Sequence, residues 1–325
     1  MPSSLAPCRQ TALTATGMKP TIRNGRRQPA SKSSQPADFA AEVFHANDGR
    51  EAVMPLCHLS HADLFHEENG QGEPLLFLNG LSGDHLYWRS QFRVFGKTYR
   101  CLAVDNRDVG QSSYAVGPYT IRDLAGDLIE WMEQLSLPPA HVVGLSLGGA
   151  IAQELAAAAP GRVKSLVLMN TLARADDWFR GTLRAFELIR RQVADTAAFF
   201  EAILPWWVSH RFFEQSERVS WLRMLLHQNP HPQRLDGFLR QLQALARHDA
   251  AERLRQITCP VLVMAGEDDC VAPPRFSREI QELIPQAQRI VFRGVGHAPP
   301  LEDARQFNSR LAEFLAVQQP QGKCA

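Results

Sequence analysis

The chain has 325 residues, of which 45% are hydrophobic and 21% charged, and its 35 basic residues nearly balance 34 acidic ones. This length can bury a sizeable core as one large domain or two small ones, and the composition is that of an ordinary globular protein. A net charge of +1 makes no electrostatic case for nucleic acid or an anionic membrane surface, and no apolar run is long enough to span a bilayer, so neither partner is expected.

Residues 1–37 carry Arg9, Lys19, Arg23, Arg26, Arg27 and Lys32 with no acid before Asp38, set among serine, threonine, alanine, proline and glutamine. This reads as a disordered extension. Its composition is that of a transit peptide, which leaves organellar targeting open, but it has no clear basic amphipathic face and no apolar core of a secretory signal. Met54 is an alternative start, where the ordered domain opens. Deletion of 1–37 is expected to leave a soluble, active protein. The expected domains are an extension at 1–53, a core at 54–170 and 252–318, a helical cap at 171–251, and a tail at 319–325. The cysteines at 8, 57, 101, 259, 270 and 324 show no C-x-x-C pairing. They read as packed, reduced thiols rather than a disulfide framework or a metal site, which points to a reducing compartment, the cytoplasm.

Two short strands are expected in 56–67, around Ser60-His61, and a turn at Asn69-Gly70-Gln71-Gly72. The apolar run 75–78 reads as a strand buried on both faces. It ends in Asn79-Gly80-Leu81-Ser82-Gly83, a glycine-rich loop suited to presenting a backbone N–H, with Leu81 as the candidate donor. A strand at 100–105 runs into the polar loop 106–113, which ties the strand end to its neighbours; Arg107 in it is an alternative contact for an anionic substrate. Thr120 and Asp123 form a capping box. Leu124, Leu128, Trp131, Met132 and Leu135 then make one helical face, stopped by Pro138-Pro139.

Next comes an apolar strand at 141–145, a tight turn, and a helix at 147–159. Ser146 sits in that turn between Gly144 and Gly148, the Gly-x-Ser-x-Gly nucleophile elbow. A serine hydroxyl needs a base to become a useful nucleophile. The turn lifts it above the sheet, and the helix starting at Leu147 aims free N–H groups at the reaction centre, with Leu147 as a second oxyanion donor. A strand at 163–170 follows. From 171 to 251 the pattern is helical, at 178–193, 197–204, 218–226 and 235–246, and it is rich in aromatics including Trp206 and Trp207. These predict a partly apolar pocket under a helical insert. Strands at 260–265 and 288–292 return, separated by a helix at 274–283 and followed by one at 302–317. Alternating strands and helices of this kind make a mostly parallel sheet covered on both faces, with the chemistry at the carboxyl ends of its strands.

Serine, then aspartate, then His297 stand in that order at strand ends, with His297 in a glycine-rich turn directly after the last strand. GLSLGG around Ser146, GEDDCVAP at 266–273 and GVGHAPPLED at 294–303 resemble the three triad signatures of the α/β-hydrolase superfamily, and the resemblance covers residue 75 to the C-terminus. It implies an α/β fold with a mostly parallel sheet of about eight strands, helices on both faces and a helical cap. In the family pattern Gly-x-x-Asp-x-x-x-Pro the catalytic acid falls on Asp269, with Asp268 the adjacent alternative; the oxyanion donors fall on Leu81 and Leu147. Two departures are Asn79, where many members have histidine, and DNRDVGQSS in place of an Arg-Gly-His-Gly form. The stretches YTIRDLAGDLIEWMEQLSLPPAHVVGLSLGG and RHDAAERLRQITCPVLVMAGEDD are similar to 3-oxoadipate enol-lactonases and related esterases. That likeness implies an anionic substrate and an arginine at the pocket, for which Arg107 and Arg174 are the candidates. The expected activity is hydrolysis of a small ester or lactone through an acyl-enzyme, without metal or organic cofactor. Alternatives on the same residues are C–C bond hydrolysis, perhydrolysis or acyl transfer, and a ligand-binding receptor of the same fold. Serine at the nucleophile position argues against the dehalogenases and epoxide hydrolases that resemble this fold.

Overall fold

The computed structural model describes residues 56–318, so the expected N-terminal extension and C-terminal tail lie outside the described residues. Eight strands form one sheet: β1 (Leu56–His58), β2 (Asp63–Asn69), β3 (Glu73–Leu78), β4 (Tyr99–Val104), β5 (Ala140–Leu145), β6 (Val163–Met169), β7 (Val261–Gly266) and β8 (Gln288–Phe292). Their order is β1-β2-β4-β3-β5-β6-β7-β8. β2 is antiparallel to both β1 and β4, and every later pairing is parallel. Leu78 lies opposite Gly144, Gly144 opposite Leu168, and Met169 opposite Met264. The carboxyl ends of β3, β5, β6 and β7 are therefore level, and the loops that leave them meet along one edge.

Side chains alternate faces along a strand, and each face has its own core. Leu76, Leu78, Val142, Leu166, Leu168 and Val263 pack on one side with α2 (Ile121–Gln134), α3 (Leu147–Ala158) and α10 (Pro274–Leu283). Their neighbours Leu75, Phe77, Val143, Val167 and Met264 pack on the other with α1 (Arg89–Phe95) and α12 (Ala304–Ala316). This two-sided burial is why the strands read as continuous apolar runs. α2 starts where the capping box places it, with Thr120 Oγ1 accepting the Asp123 N–H and the Asp123 carboxylate accepting the Thr120 N–H.

Between β6 and β7 lie α4 (Asp177–Gln192), α5 (Thr196–Trp207), α6 (His210–Phe213), α7 (Ser216–His227), α8 (Leu235–Ala246) and α9 (Ala251–Leu254). Most expected boundaries agree within two residues; two helices differ by more. α5 continues through Pro205 to Trp207, since a proline near a helix end removes one donor without ending the turn. The last helix divides into α11 (Pro299–Glu302) and α12 because Asp303 leaves the helical conformation and its carboxylate accepts the Gln306 N–H as a new N-cap. Among the described residues no helix is long and apolar enough to cross a membrane.

Candidate active site

Ser146 occupies the turn between β5 and α3 with φ 54° and ψ −114°, a conformation that non-glycine residues rarely adopt. Its N–H donates to the Met169 carbonyl at 2.9 Å, and its own carbonyl accepts the Ala150 N–H at 3.0 Å and the Thr171 hydroxyl at 2.7 Å. The flanking glycines are steric necessities. A Cβ on Gly144 would lie 2.4 Å from the Gly148 carbonyl oxygen, and one on Gly148 would lie 2.3 Å from that of Leu78. Leu147 is the first residue of α3, directly after the serine.

His297 sits in the loop after β8, and its N–H donates to the Trp207 carbonyl at 2.9 Å. Its Nδ1 lies 2.8 Å from Asp269 Oδ2. Asp269 is buried in the loop after β7, where Oδ1 accepts the N–H groups of Val271 and Ala272 at 2.7 and 2.9 Å and Oδ2 also accepts from the Asn170 amide at 2.6 Å. Three donors thus hold one carboxylate against one imidazole. Asp268 instead has its carboxylate 3.3 Å from His210 Nδ1. Of the two adjacent aspartates, the structure pairs Asp269 with His297.

Ser146 and His297 line one cavity of about 290 Å³. The loop after β3, including Leu81, borders it, as do Phe186, Phe199, Phe200, Trp207, Trp221 and Phe238 from the helices between β6 and β7. Asn79 shapes that loop: its Oδ1 accepts the Gly80 N–H at 2.7 Å and its Nδ2 donates to the Asp84 carbonyl at 3.0 Å. A Cβ on Gly80 would lie 3.3 Å from Ser146 Cβ, so the loop passes directly over the serine.

Three expected pocket residues lie elsewhere. Arg107 is held in a two-pronged pair by the buried Asp127, with its guanidinium over the Tyr119 ring, and is not on the cavity lining. Arg174 pairs with Glu279 at 2.9 Å, also off the lining. Trp206 turns outward beside Phe186, because successive residues on a helix point about 100° apart and its neighbour Trp207 takes the cavity. Among the described residues the lining carries one arginine, Arg89, which lies 3.6 Å from Glu67. The wall also holds Asp84, whose carboxyl is pushed up by burial and by the nearby Asp105.

The sequence reading missed Glu302. It is buried below the His297 loop and accepts the N–H groups of Ser209 at 2.8 Å and Gly296 at 3.0 Å, which joins the α5–α6 connection to that loop. Its one sequence signal is an acid shortly after the histidine. Among the described residues no group of three or more histidine, cysteine or acidic side chains is placed to hold a metal ion. The arrangement can activate a hydroxyl with an imidazole, beside a backbone loop and in an apolar enclosure.

This strand order and elbow define an α/β hydrolase. The chain belongs to that family: the alpha/beta hydrolase fold model matches residues 73–304. Among its relatives is a putative carbamate hydrolase, RutD, of Azorhizobium caulinodans, 31% identical over 268 residues that cover 80% of this chain and 98% of that one. A putative non-heme bromoperoxidase, BpoC, of Mycobacterium tuberculosis is 30% identical over 78% of this chain and 98% of its own. The solved enol-lactonase of Burkholderia xenovorans LB400 superposes with a TM-score of 0.73 at 26% identity, covering 81% of this chain and all (100%) of that one. A thermophilic esterase from Thermogutta terrifontis gives 0.71 at 25% identity, covering 82% and 98%. Hydrolase activity, with esterase, lactonase and carbamate hydrolase relatives, is the function this membership carries.

Proposed function

We propose that the protein is a serine hydrolase that cleaves small, neutral, largely apolar esters or lactones through an acyl-enzyme on Ser146. One observation carries this reading: the imidazole tied to Asp269 at 2.8 Å opens on the same cavity as the serine on its positive-φ turn. His297 takes the Ser146 proton as Oγ attacks the substrate carbonyl, then returns it to the leaving group. Asp269 holds the ring with Nδ1 protonated and stabilises the imidazolium. The N–H groups of Leu81 and Leu147 receive the developing oxyanion; such a donor is worth about 2.7–4 kcal/mol in other enzymes. Water, activated by the same histidine, then releases the acid. The scheme needs neither metal nor organic cofactor. The helices from 171 to 251 act as a cap that excludes bulk water.

The lining favours a neutral substrate over the dicarboxylate that an enol-lactonase likeness implies. Seven aromatic rings border the cavity, six of them from the helices of 171–251; Arg107 and Arg174 are engaged elsewhere, the lining arginine Arg89 lies against Glu67, and Asp84 adds a carboxyl to the wall. A second reading keeps the acyl-enzyme and lets hydrogen peroxide replace water, which releases a peracid; the likeness to a putative bromoperoxidase favours it. The four described cysteines are free thiols, in keeping with a cytoplasmic location.

Pre-steady-state hydrolysis of p-nitrophenyl butyrate tests the reading. The wild type should show a burst equal to the enzyme concentration and then steady turnover. Ser146→Ala and His297→Ala should lose both at an unchanged melting temperature. Wild-type turnover in either variant would refute the assignment. A neutral butyrolactone should be cleaved with a higher kcat/KM than a dicarboxylate lactone.

A further inference from the structure

Three connected polar side chains, two of them on the cavity lining (Ser82 and Gln233) and Gln241 behind them, have no part in the scheme above. Ser82, in the loop after β3, has φ 64° and is buried. Its N–H donates to Gln241 Oε1 at 3.2 Å and its hydroxyl donates to Gln233 Oε1. Gln241 lies on α8 and Gln233 in the connection before it, and both are buried. Gln241 Nε2 donates to the Arg107 carbonyl at 2.9 Å. Gln233 Nε2 donates to the Asp108 carbonyl at 2.9 Å and to Gln241 Oε1 at 3.1 Å. The amide orientations are dictated by these partners. Turning Gln241 over would set its NH2 against two donors and its oxygen against a carbonyl. Buried amides this fully matched hold their surroundings in one arrangement.

What they hold is the peptide group that bears the Leu81 N–H. The Gly80 carbonyl and the Leu81 N–H share one rigid plane and point in opposite directions. That carbonyl accepts the Gly83 N–H at 3.1 Å, the Gly80 N–H is capped by Asn79 at 2.7 Å, and the next N–H, of Ser82, is taken by Gln241. The Leu81 N–H is thus set by anchors on both sides, and the downstream anchor comes from the cap. A serine at positive φ stays there only where its surroundings impose it.

Resting on the hydrolase reading above, we propose that Gln241 and Gln233 are positioning residues that set the oxyanion donor of Leu81, so that the donor is in place only while the cap is docked. They act through Ser82 and need not touch substrate.

The test compares Gln241→Met and Gln233→Met with the wild type, using p-nitrophenyl butyrate and two inhibitors of matched chain length. A short-chain trifluoromethyl ketone adds to the serine and places an oxyanion between the donors, whereas the corresponding methyl ketone binds as the ketone. Gln241→Met should lower kcat 10- to 100-fold with KM within twofold. It should weaken the trifluoromethyl ketone by a similar factor and leave the methyl ketone unchanged. Gln233→Met should move the same quantities in the same direction. Gln241→Glu, which keeps the shape and an acceptor for the Ser82 N–H, should recover part of kcat. Wild-type kcat and trifluoromethyl ketone affinity in both methionine variants would overturn the proposal. So would a loss shared equally by KM and the methyl ketone, which is what a loosened cap alone would produce. If Gln241→Met does not fold, Gln233→Met and Gln241→Glu carry the same comparison. Ser146→Ala in the same series separates the two readings. Its inactivity upholds the hydrolase whatever the glutamines do, while its wild-type turnover would remove both.

Discussion

Ser146 holds its turn only because Gly144 and Gly148, two residues to either side, have no side chains, so the elbow should fail when one is added. In Gly144→Ala the new Cβ would lie 2.4 Å from the Gly148 carbonyl oxygen, a backbone atom that cannot swing aside. We expect kcat to fall at least ~100-fold and the melting temperature to drop, read by ester hydrolysis and thermal unfolding of the same sample. At Asp269 the expected effect is chemical. Asn in its place would turn an NH2 toward His297 Nδ1 and the Asn170 amide, both of which now face an acceptor. The ring would lose its protonated-Nδ1 tautomer, and kcat should fall on the order of 10³–10⁴-fold with little change in KM. Ser146 and His297 were legible in the sequence because each lies in a glycine-marked turn at a strand end. Asp269 was separable from Asp268 only through a family pattern, since both follow the same strand and only the three-dimensional turn decides which one faces the histidine. Arg107 and Arg174 show the opposite case: as free cations they looked available, but Asp127 and Glu279 engage them from other elements.

At the level of elements, the strands and amphipathic helices followed from periodicity, since each buries apolar residues at its own spacing. The connection between the helices of 171–251 and the sheet did not. Arg240 on α8 forms two hydrogen bonds of 2.8 Å to Asp108, which is fully buried in the loop after β4 and also accepts the Ala115 N–H at 2.8 Å. Removing the cation leaves a buried carboxylate without its counter-charge. Arg240→Met should therefore cost about 3–5 kcal/mol, measured as a lower urea midpoint, while Arg234→Met, on an exposed pair with Asp236, should leave the midpoint nearly unchanged. The loop DNRDVGQSS departs from the commoner family form, and its aspartates explain the departure structurally. Asp105 accepts the His85 and Gln111 N–H groups and faces the His85 ring, while Asp108 receives Arg240.

Across the whole molecule, two buried histidines tie stability to pH. Burial lowers His66 and His248 to about 4. His66 Nδ1 accepts the Trp131 indole N–H at 3.3 Å, which requires the neutral ring. In the unfolded chain these groups titrate near 6.5, so between about 6.5 and 4 the unfolded state binds protons that the folded state refuses. Their contribution is complete above pH 6.5, falls as pH drops toward 4 and then levels. His85, raised by its Asp105 partner, acts in the other direction: its contribution is present below pH 6.5 and is lost as pH rises through its folded value. His141, also buried, is lowered in the same sense by burial, so three histidines against one should leave the unfolding free energy lower at pH 4.5 than at pH 7, by roughly 1–3 kcal/mol for each of the two lowered to about 4. Urea titrations at both pH values should show a smaller loss in His248→Gln. The sheet, the elbow and the serine and histidine at strand ends can be read from the chain alone, because hydrophobic periodicity and steric demand on glycine act within a few residues. Which acids engage the arginines, which aspartate meets the histidine, which tryptophan faces the cavity, and how Ser82, Gln233, Gln241 and Glu302 join the loops emerge in three dimensions. Those outcomes depend on charge pairing and hydrogen bonding between segments that are distant along the chain, and they become defined only when the level strand ends bring those segments together.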